Sequence, residues 1–121
     1  MIHIKNKRSF GKLGETIAKN YLENKGYQIL SVNWRCKIGE IDLIACQDRY
    51  LVFVEVKSRT STRFGSPAEA VDVHKQGRIR KLAEWYLAEN SQIRFDSLRF
   101  DVIGIQMHNG STQIRHYEGA F

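Results

Sequence analysis

Asp42-Leu43-Ile44-Ala45-Cys46-Gln47-Asp48-Arg49-Tyr50-Leu51-Val52-Phe53-Val54-Glu55-Val56-Lys57 reads as two strands and the tight turn between them. β-Branched and aromatic residues suit a pleated, packed surface, and Asp48-Arg49 interrupts them where a chain would reverse. With a symmetric turn centred there, Gln47 faces Tyr50, Asp42 falls opposite Glu55, and Glu40 falls opposite Lys57. Directly opposed residues hold their Cβ atoms about 4.5–5.5 Å apart, and like charges there destabilise a sheet. Two carboxylates that close either share a proton or hold a cation. Lys57, two residues past Glu55, shares its face roughly 6.6 Å along the strand. Paired acids with a lysine beside them point to a site for a metal ion and a phosphate.

Outward from this hairpin, the second strand spans about Ile38 to Cys46 and the third Tyr50 to Lys57. Ile41, Leu43 and Ala45 alternate with Glu40, Asp42 and Ile44, while Val52, Val54 and Val56 alternate with Leu51, Phe53, Glu55 and Lys57. Both faces are largely apolar, as in a sheet covered on two sides. Upstream, Tyr27 to Asn33 forms a first strand and Trp34-Arg35-Cys36-Lys37 turns it into the second. Before that, Ser9 caps a helix with Leu13, Ile17, Ala18, Tyr21 and Leu22 at helical spacing and Gly26 as its closing glycine. Glu15 lies off the centre of that stripe. Downstream, Ser58 to Pro67 reads as a polar loop, and Pro67 opens a helical segment from Ala68 to Val71. A longer helix carries Ile79, Leu82, Ala83, Tyr86 and Leu87 and stops at Asn90-Ser91. Leu98 to Gln106 is a fourth strand, and Asn109-Gly110 turns it into a last strand from Thr112 to Tyr117. The order α-β-β-β-α-β-β predicts an α/β sandwich in one domain spanning residues 1–121, with residues 1–8 a flexible basic N-terminus.

Composition narrows the classes. At 121 residues, with 42% hydrophobic and 26% charged residues, the chain suits an ordinary soluble domain. The longest apolar run, Leu51 to Val54, is far short of a membrane span, and the first eight residues have no apolar core of the signal-peptide kind. Cys36 and Cys46 form no CxxC pair and are expected to be reduced in a cytoplasmic protein. Between Lys57 and Lys81 there are seven bases (Lys57, Arg59, Arg63, Lys75, Arg78, Arg80, Lys81) and two acids (Glu69, Asp72). That leaves +5 of the chain's net +6 in one segment directly after the acidic hairpin. A basic surface beside an acidic pocket suits a polyanion, and the alternative is a solvated helix face. The four histidines are scattered and define no zinc site or triad, and no phosphate-cradling glycine motif occurs.

Asp42 with Glu55-Val56-Lys57, behind a helix carrying Glu15, resembles the active-site pattern of the PD-(D/E)XK nuclease superfamily. More closely, the chain resembles the YraN family of small bacterial proteins, related to archaeal Holliday-junction resolvases. The residues that carry the likeness are Gly11-Lys12-Leu13-Gly14-Glu15 with Ala18; Asn33-Trp34-Arg35; Gly39-Glu40-Ile41-Asp42-Leu43-Ile44-Ala45; Val52-Phe53-Val54-Glu55-Val56-Lys57 with Arg59; and Lys75-Gln76. Ile41 stands where the superfamily has a proline. The resemblance implies a restriction-endonuclease-like αβββαβ core, a mixed central sheet flanked by helices.

It also implies a metal-dependent endonuclease acting on DNA rather than RNA, on branched or otherwise structured molecules, with Mg2+ or Mn2+ as cofactor. Asp42 and Glu55 would be the metal carboxylates, with the Val56 carbonyl as a third oxygen. Lys57 would orient water or neutralise charge, and Glu15 would reach in from the first helix. Glu40 is a candidate for a second ion or for pairing with Lys57. Arg59, Lys75, Gln76 and Arg78 are candidate nucleic-acid contacts. Related resolvases imply a homodimer, and no membrane partner is expected. Each residue also has a plainer role: salt bridges for Asp42 and Glu55, a solvated strand end for Lys57, a helix-surface acid for Glu15, and a helix surface for Lys75 and Gln76. Asp101, within Phe100-Asp101-Val102-Ile103, reads as a hydrogen-bonded core acid, and Trp34 and Trp85 as core. The competing function is a nucleic-acid-binding module that keeps the fold without hydrolysis.

Overall fold

The Asp48-Arg49 turn closes as read: Gln47 pairs with Tyr50, and the ladder runs back through Ala45–Val52 to Leu43–Val54. Asp48 takes φ +53°, a left-handed conformation that aspartate tolerates better than most residues. These coordinates come from a computed structural model that describes residues 7–60 and 71–121, with the side chains of Lys7 and Arg8 not described. Helix α1 (Lys7–Asn24) is followed by β1 (Gln28–Cys36), β2 (Gly39–Gln47), β3 (Tyr50–Arg59), α2 (Val73–Glu89), β4 (Ser97–His108) and β5 (Ser111–Tyr117). The helical segment expected from Ala68, and the loop before it beyond Thr60, lie outside the described residues, as do residues 1–6.

The five strands form one mixed sheet in the order β1-β2-β3-β4-β5, with β3 and β4 parallel and the other neighbours antiparallel. The parallel pair requires a crossover, and α2 lies within it. Among the described residues one helix covers each face. Ala18 and Leu22 of α1 pack with Leu43, Ala45, Val52, Val54, Ile103 and Ile105. Ile79, Leu82, Ala83 and Tyr86 of α2 pack with Ile41, Ile44, Leu51, Phe53, Phe100 and Val102. Phe53, fully buried, stacks on Phe100 at 5.6 Å and meets Tyr86 edge-on at 5.9 Å. Burying one such side chain contributes about 1.5–3 kcal/mol.

Gly26 does close α1. At φ +91° its N–H donates to the Glu23 carbonyl while Tyr27 N–H donates to that of Leu22, and buried Tyr27 and Leu22 join the same cluster. Asn109 and Gly110, both at positive φ, make the β4–β5 hairpin.

Several boundaries differ from expectation. α1 begins at Lys7, so Ser9 lies inside the helix and does not cap it. β1 runs on through Trp34, Arg35 and Cys36, because Trp34 pairs with Ile41 and packs into the α2-side core, and the turn falls at Lys37-Ile38. Ser58 and Arg59 belong to β3, held by the parallel ladder to Ile105 and Gln106. Ile41 packs with Ile44 on the α2 side and not with Leu43, so strict alternation fails in β2 near Asp42. Among the described residues no helix is long and apolar enough to cross a membrane.

Candidate active site

The β2–β3 ladder stops at Leu43–Val54, one pair short of Asp42 and Glu55. Beyond that point the Asp42 carboxylate stands in for the missing ladder: its Oδ2 accepts the backbone N–H of Val56 at 2.8 Å. Asp42 therefore lies in an opening between two strands. Glu55, 8% exposed, lies on the α2 face, in register with core Val102.

Helix α2 delivers the cations. Asp72 caps it, accepting the Lys75 N–H at 2.8 Å. That bond sets the first turn so that Lys75 Nζ reaches Glu55 Oε1 at 2.5 Å, with Lys57 Nζ 3.6 Å from the same oxygen. On the other side α1 approaches β3 at Gly14, where a Cβ would stand 1.8 Å from Ser58 Oγ. A side chain at Gly14 would have to displace the Ser58 hydroxyl and crowd its Cβ, and the next residue is Glu15, whose charge acts on Asp42.

The charges are out of balance. Burial, then the neighbouring Glu55, then Glu15 push the Asp42 carboxyl up to about 8, against the Val56 N–H and Lys75, which oppose the rise. Lys57 is lowered by burial and by the adjacent Lys75 ammonium. For Lys75 burial is the largest influence and acts downward, but its bonds to Glu55 and Lys57 outweigh it and leave the group raised. Folding thus favours the protonated carboxyl at Asp42 and, of the two lysines, holds the proton more firmly on Lys75.

Two acids and two lysines meet here, Asp42, Glu55, Lys57 and Lys75, with Glu15 near enough for its charge to act on Asp42. Other predicted residues are placed elsewhere. Glu40 faces β1, where Arg35 Nε donates to its Oε2 at 2.8 Å across the hairpin, and it is not among the charges dominating at Asp42. Gln76 donates to the Val71 carbonyl at 3.0 Å, bracing the start of α2. Arg78 is exposed on α2, and its Cδ would lie 3.8 Å from a Cβ built on Gly39, so it borders the β1–β2 turn. Arg59 ends β3, half-buried, in register with Gln106. Val56 contributes its N–H to Asp42. The residue pattern names Lys75 only as a nucleic-acid contact, and gives no packing role to Gly14 and no capping role to Asp72. The Asp72-x-x-Lys75 spacing was the available sign of a cap and its third helical residue.

Among the described residues no three His, Cys, Asp or Glu side chains are gathered to hold an ion by themselves. Magnesium, however, commonly takes one or two carboxylates and completes its octahedron with water and phosphate. Asp42 and Glu55 supply that number. A carboxyl kept protonated by burial and like-charge neighbours is also a group that a cation would deprotonate. The donor set fits a hard divalent ion.

Asp101 is separate from this site. Fully buried, it accepts Arg99 Nε and Nη2 at 2.9 Å each, pairs with His116 Nε2 at 2.7 Å and accepts Gly119 N–H at 3.0 Å. It is the hydrogen-bonded core acid its setting suggested. Trp34 is core, edge-on to Tyr86, whereas Trp85 is partly exposed.

A mixed α/β domain with a cluster of acids and lysines at a strand opening defines the class. The chain matches the model described as Uncharacterised protein family UPF0102 over residues 14–105. UPF0102 proteins resemble it along most of their length: one from Caldanaerobacter subterraneus subsp. tengcongensis is 52% identical over 85% of this chain and 84% of its own. One from Alkaliphilus oremlandii is 47% identical over 94% and 98%, and one from Rhodococcus opacus 46% identical over 93% and 96%. The protein belongs to the UPF0102 family, which is the YraN family.

Proposed function

We propose that this protein is a metal-dependent endonuclease of the PD-(D/E)XK type, with a restriction-endonuclease-like core, that hydrolyses phosphodiester bonds of DNA, branched or structured DNA included. The observation that carries the proposal is Asp42: a buried carboxyl beside Glu55 and Glu15, pushed up to about 8, next to two lysines. A divalent ion held by Asp42 and Glu55 would supply positive charge at the phosphate and a more acidic water. The chain's own groups do the rest. Lys57, lowered by burial and by Lys75, is the group suited to take a proton from water or to orient it. Lys75 holds Glu55 in place and keeps its charge for the developing negative oxygens. Arg59 and Arg78 would hold flanking phosphates and set affinity rather than sequence choice. Symmetric cutting of two strands would call for a two-fold pair of copies.

The test is cleavage of plasmid and junction substrates with magnesium or manganese by wild type, Asp42→Ala, Glu55→Ala and Lys57→Ala. The proposal predicts loss of about 10²-fold or more for each, as when a charge-stabilising group is removed; activity surviving all three changes would overturn it. One observation favours a second reading, a DNA-binding module without hydrolysis: Glu55 is already met by two ammonium groups. That module would bind DNA in a salt-sensitive way, weakened by Arg78→Ala or Lys75→Ala and indifferent to Asp42→Ala, and would cut nothing with any divalent ion.

A further inference from the structure

On the α2 side of the sheet, Glu55, Lys57 and Arg59 of β3 are in register with Val102, Gly104 and Gln106 of β4. These in turn align with Tyr117, Arg115 and Gln113 of β5, and His108 aligns with Ser111. In-register residues of neighbouring strands share a face, so one face carries the candidate active site and, further along, an array of polar side chains. That array lines a hollow of about 320 Å³ formed by Gln106, His108, Asn109, Ser111 and Gln113. Gln106 lies one strand across and two residues along from Lys57, about 8 Å away, and Gln113 two strands across, about 12 Å, from the spacings of a regular sheet.

Among the described residues the lining has a definite chemistry: three carboxamides, a hydroxyl and an imidazole, with no carboxylate, ammonium or guanidinium. Neutral groups that both donate and accept match the edge of an uncharged base better than a phosphate. Gln106, 6% exposed, forms the floor. His108 is anchored, its Nδ1 3.1 Å from the Thr60 carbonyl, which fixes Nδ1–H as donor in the neutral ring and leaves Nε2 as acceptor. The hollow's volume falls at the small end of ligand pockets and leaves room for one base.

We infer that the hollow at the β4–β5 tip is a base-binding subsite, taking the nucleobase next to the phosphodiester that lies at Glu55 and Lys57. This rests on the endonuclease proposal and adds to it: the protein would grip a strand by a base as well as by phosphates. A base lifted into the hollow is unpaired, so the preferred substrate has single-stranded nucleotides beside the cut.

The experiment is fluorescence anisotropy of a labelled single-stranded oligonucleotide, and of the same sugar–phosphate strand without bases, in calcium. Wild type should bind the strand with bases about tenfold more tightly, toward the low end of what a paired amide contributes to base recognition. His108→Ala and Gln113→Ala, both on exposed positions, should each reduce that ratio toward one while leaving affinity for the baseless strand unchanged. Gln113→Glu, which replaces an amide donor with a second acceptor, should reduce it as well. A wild-type ratio of one, or a ratio that all three variants leave intact, overturns the subsite while binding itself upholds the active site as a polyanion site. If wild type binds neither strand, the endonuclease proposal falls and takes the subsite with it.

Discussion

Asp42 and Asp101 are both buried aspartates, and their surroundings drive them in opposite directions. Asp42 keeps its proton up to about 8, against an ordinary 3.8, through burial and then through Glu55 and Glu15. A carboxyl raised by folding contributes stability below its unfolded value and loses it as pH climbs through the folded one. Without divalent ion, thermal stability should therefore decline from about pH 4 to pH 8 and beyond. Asp42→Asn, which can still accept the Val56 N–H, should flatten that decline and melt higher than wild type at pH 8.5; a slope unchanged in the variant would contradict the coupling. For Asp101 burial, the largest influence, acts upward, yet the bonds from His116, Arg99 and Gly119 outweigh it and lower the carboxyl. Its contribution is present above the unfolded value and is lost as pH falls through the folded one. Arg99→Met, which removes two of those bonds, should cost about 3–5 kcal/mol in urea unfolding, as expected when a buried charge loses its partner. A cost below about 1 kcal/mol would mean that the pair behaves as an exposed one.

At the scale of elements, the contact between α1 and β3 decides whether Glu15 joins the site. Gly14 leaves no room for a Cβ against Ser58. Gly14→Ala should destabilise by about 1–3 kcal/mol, the usual cost of overpacking, and should lower cleavage by more than the fall in folded fraction explains. Melting and cleavage measured together check this, and an unchanged cleavage rate would leave α1 a purely structural role.

Much of this level could be read from residue patterns: both helices, the Gly26 closure, the Asp48-Arg49 turn and the Asn109-Gly110 hairpin all have local chemical causes. Less legible was the point where β2 parts from β3. Alternation placed Asp42 opposite Glu55 in a continuing ladder, but a side-chain oxygen takes the Val56 N–H and the ladder ends. Periodicity carries no information about such a substitution. The same limit hides the partner of Glu40, because the residue pattern ends the first strand at Asn33 and Arg35 lies beyond it.

For the molecule as a whole, the fold brings the middle of α1, the start of α2 and the later half of β3 around one cluster of charge. Lys75 belongs to that cluster through a contact between β3 and α2, the helix within the crossover that follows it. Its position on a helix therefore suggested a phosphate contact and not an ion pair with Glu55. The surface charge should also act at this scale: DNA binding should weaken steeply between 50 and 200 mM salt, with a logarithmic slope near −0.9 per phosphate contact. Arg78→Ala should reduce that slope by about 1, as loss of one such contact does, and an unchanged slope would place Arg78 off the path of the strand.

The central claim is that Asp42 and Glu55 lie together because a divalent ion belongs between them. Calorimetric titration of wild type and Asp42→Ala with manganese at pH 7, in buffers of different ionisation enthalpy, tests it most directly. The predicted result is saturable binding by wild type with release of about one proton, the one held on Asp42, and no binding by the variant. Binding that is absent from wild type, or identical in the variant, would contradict it.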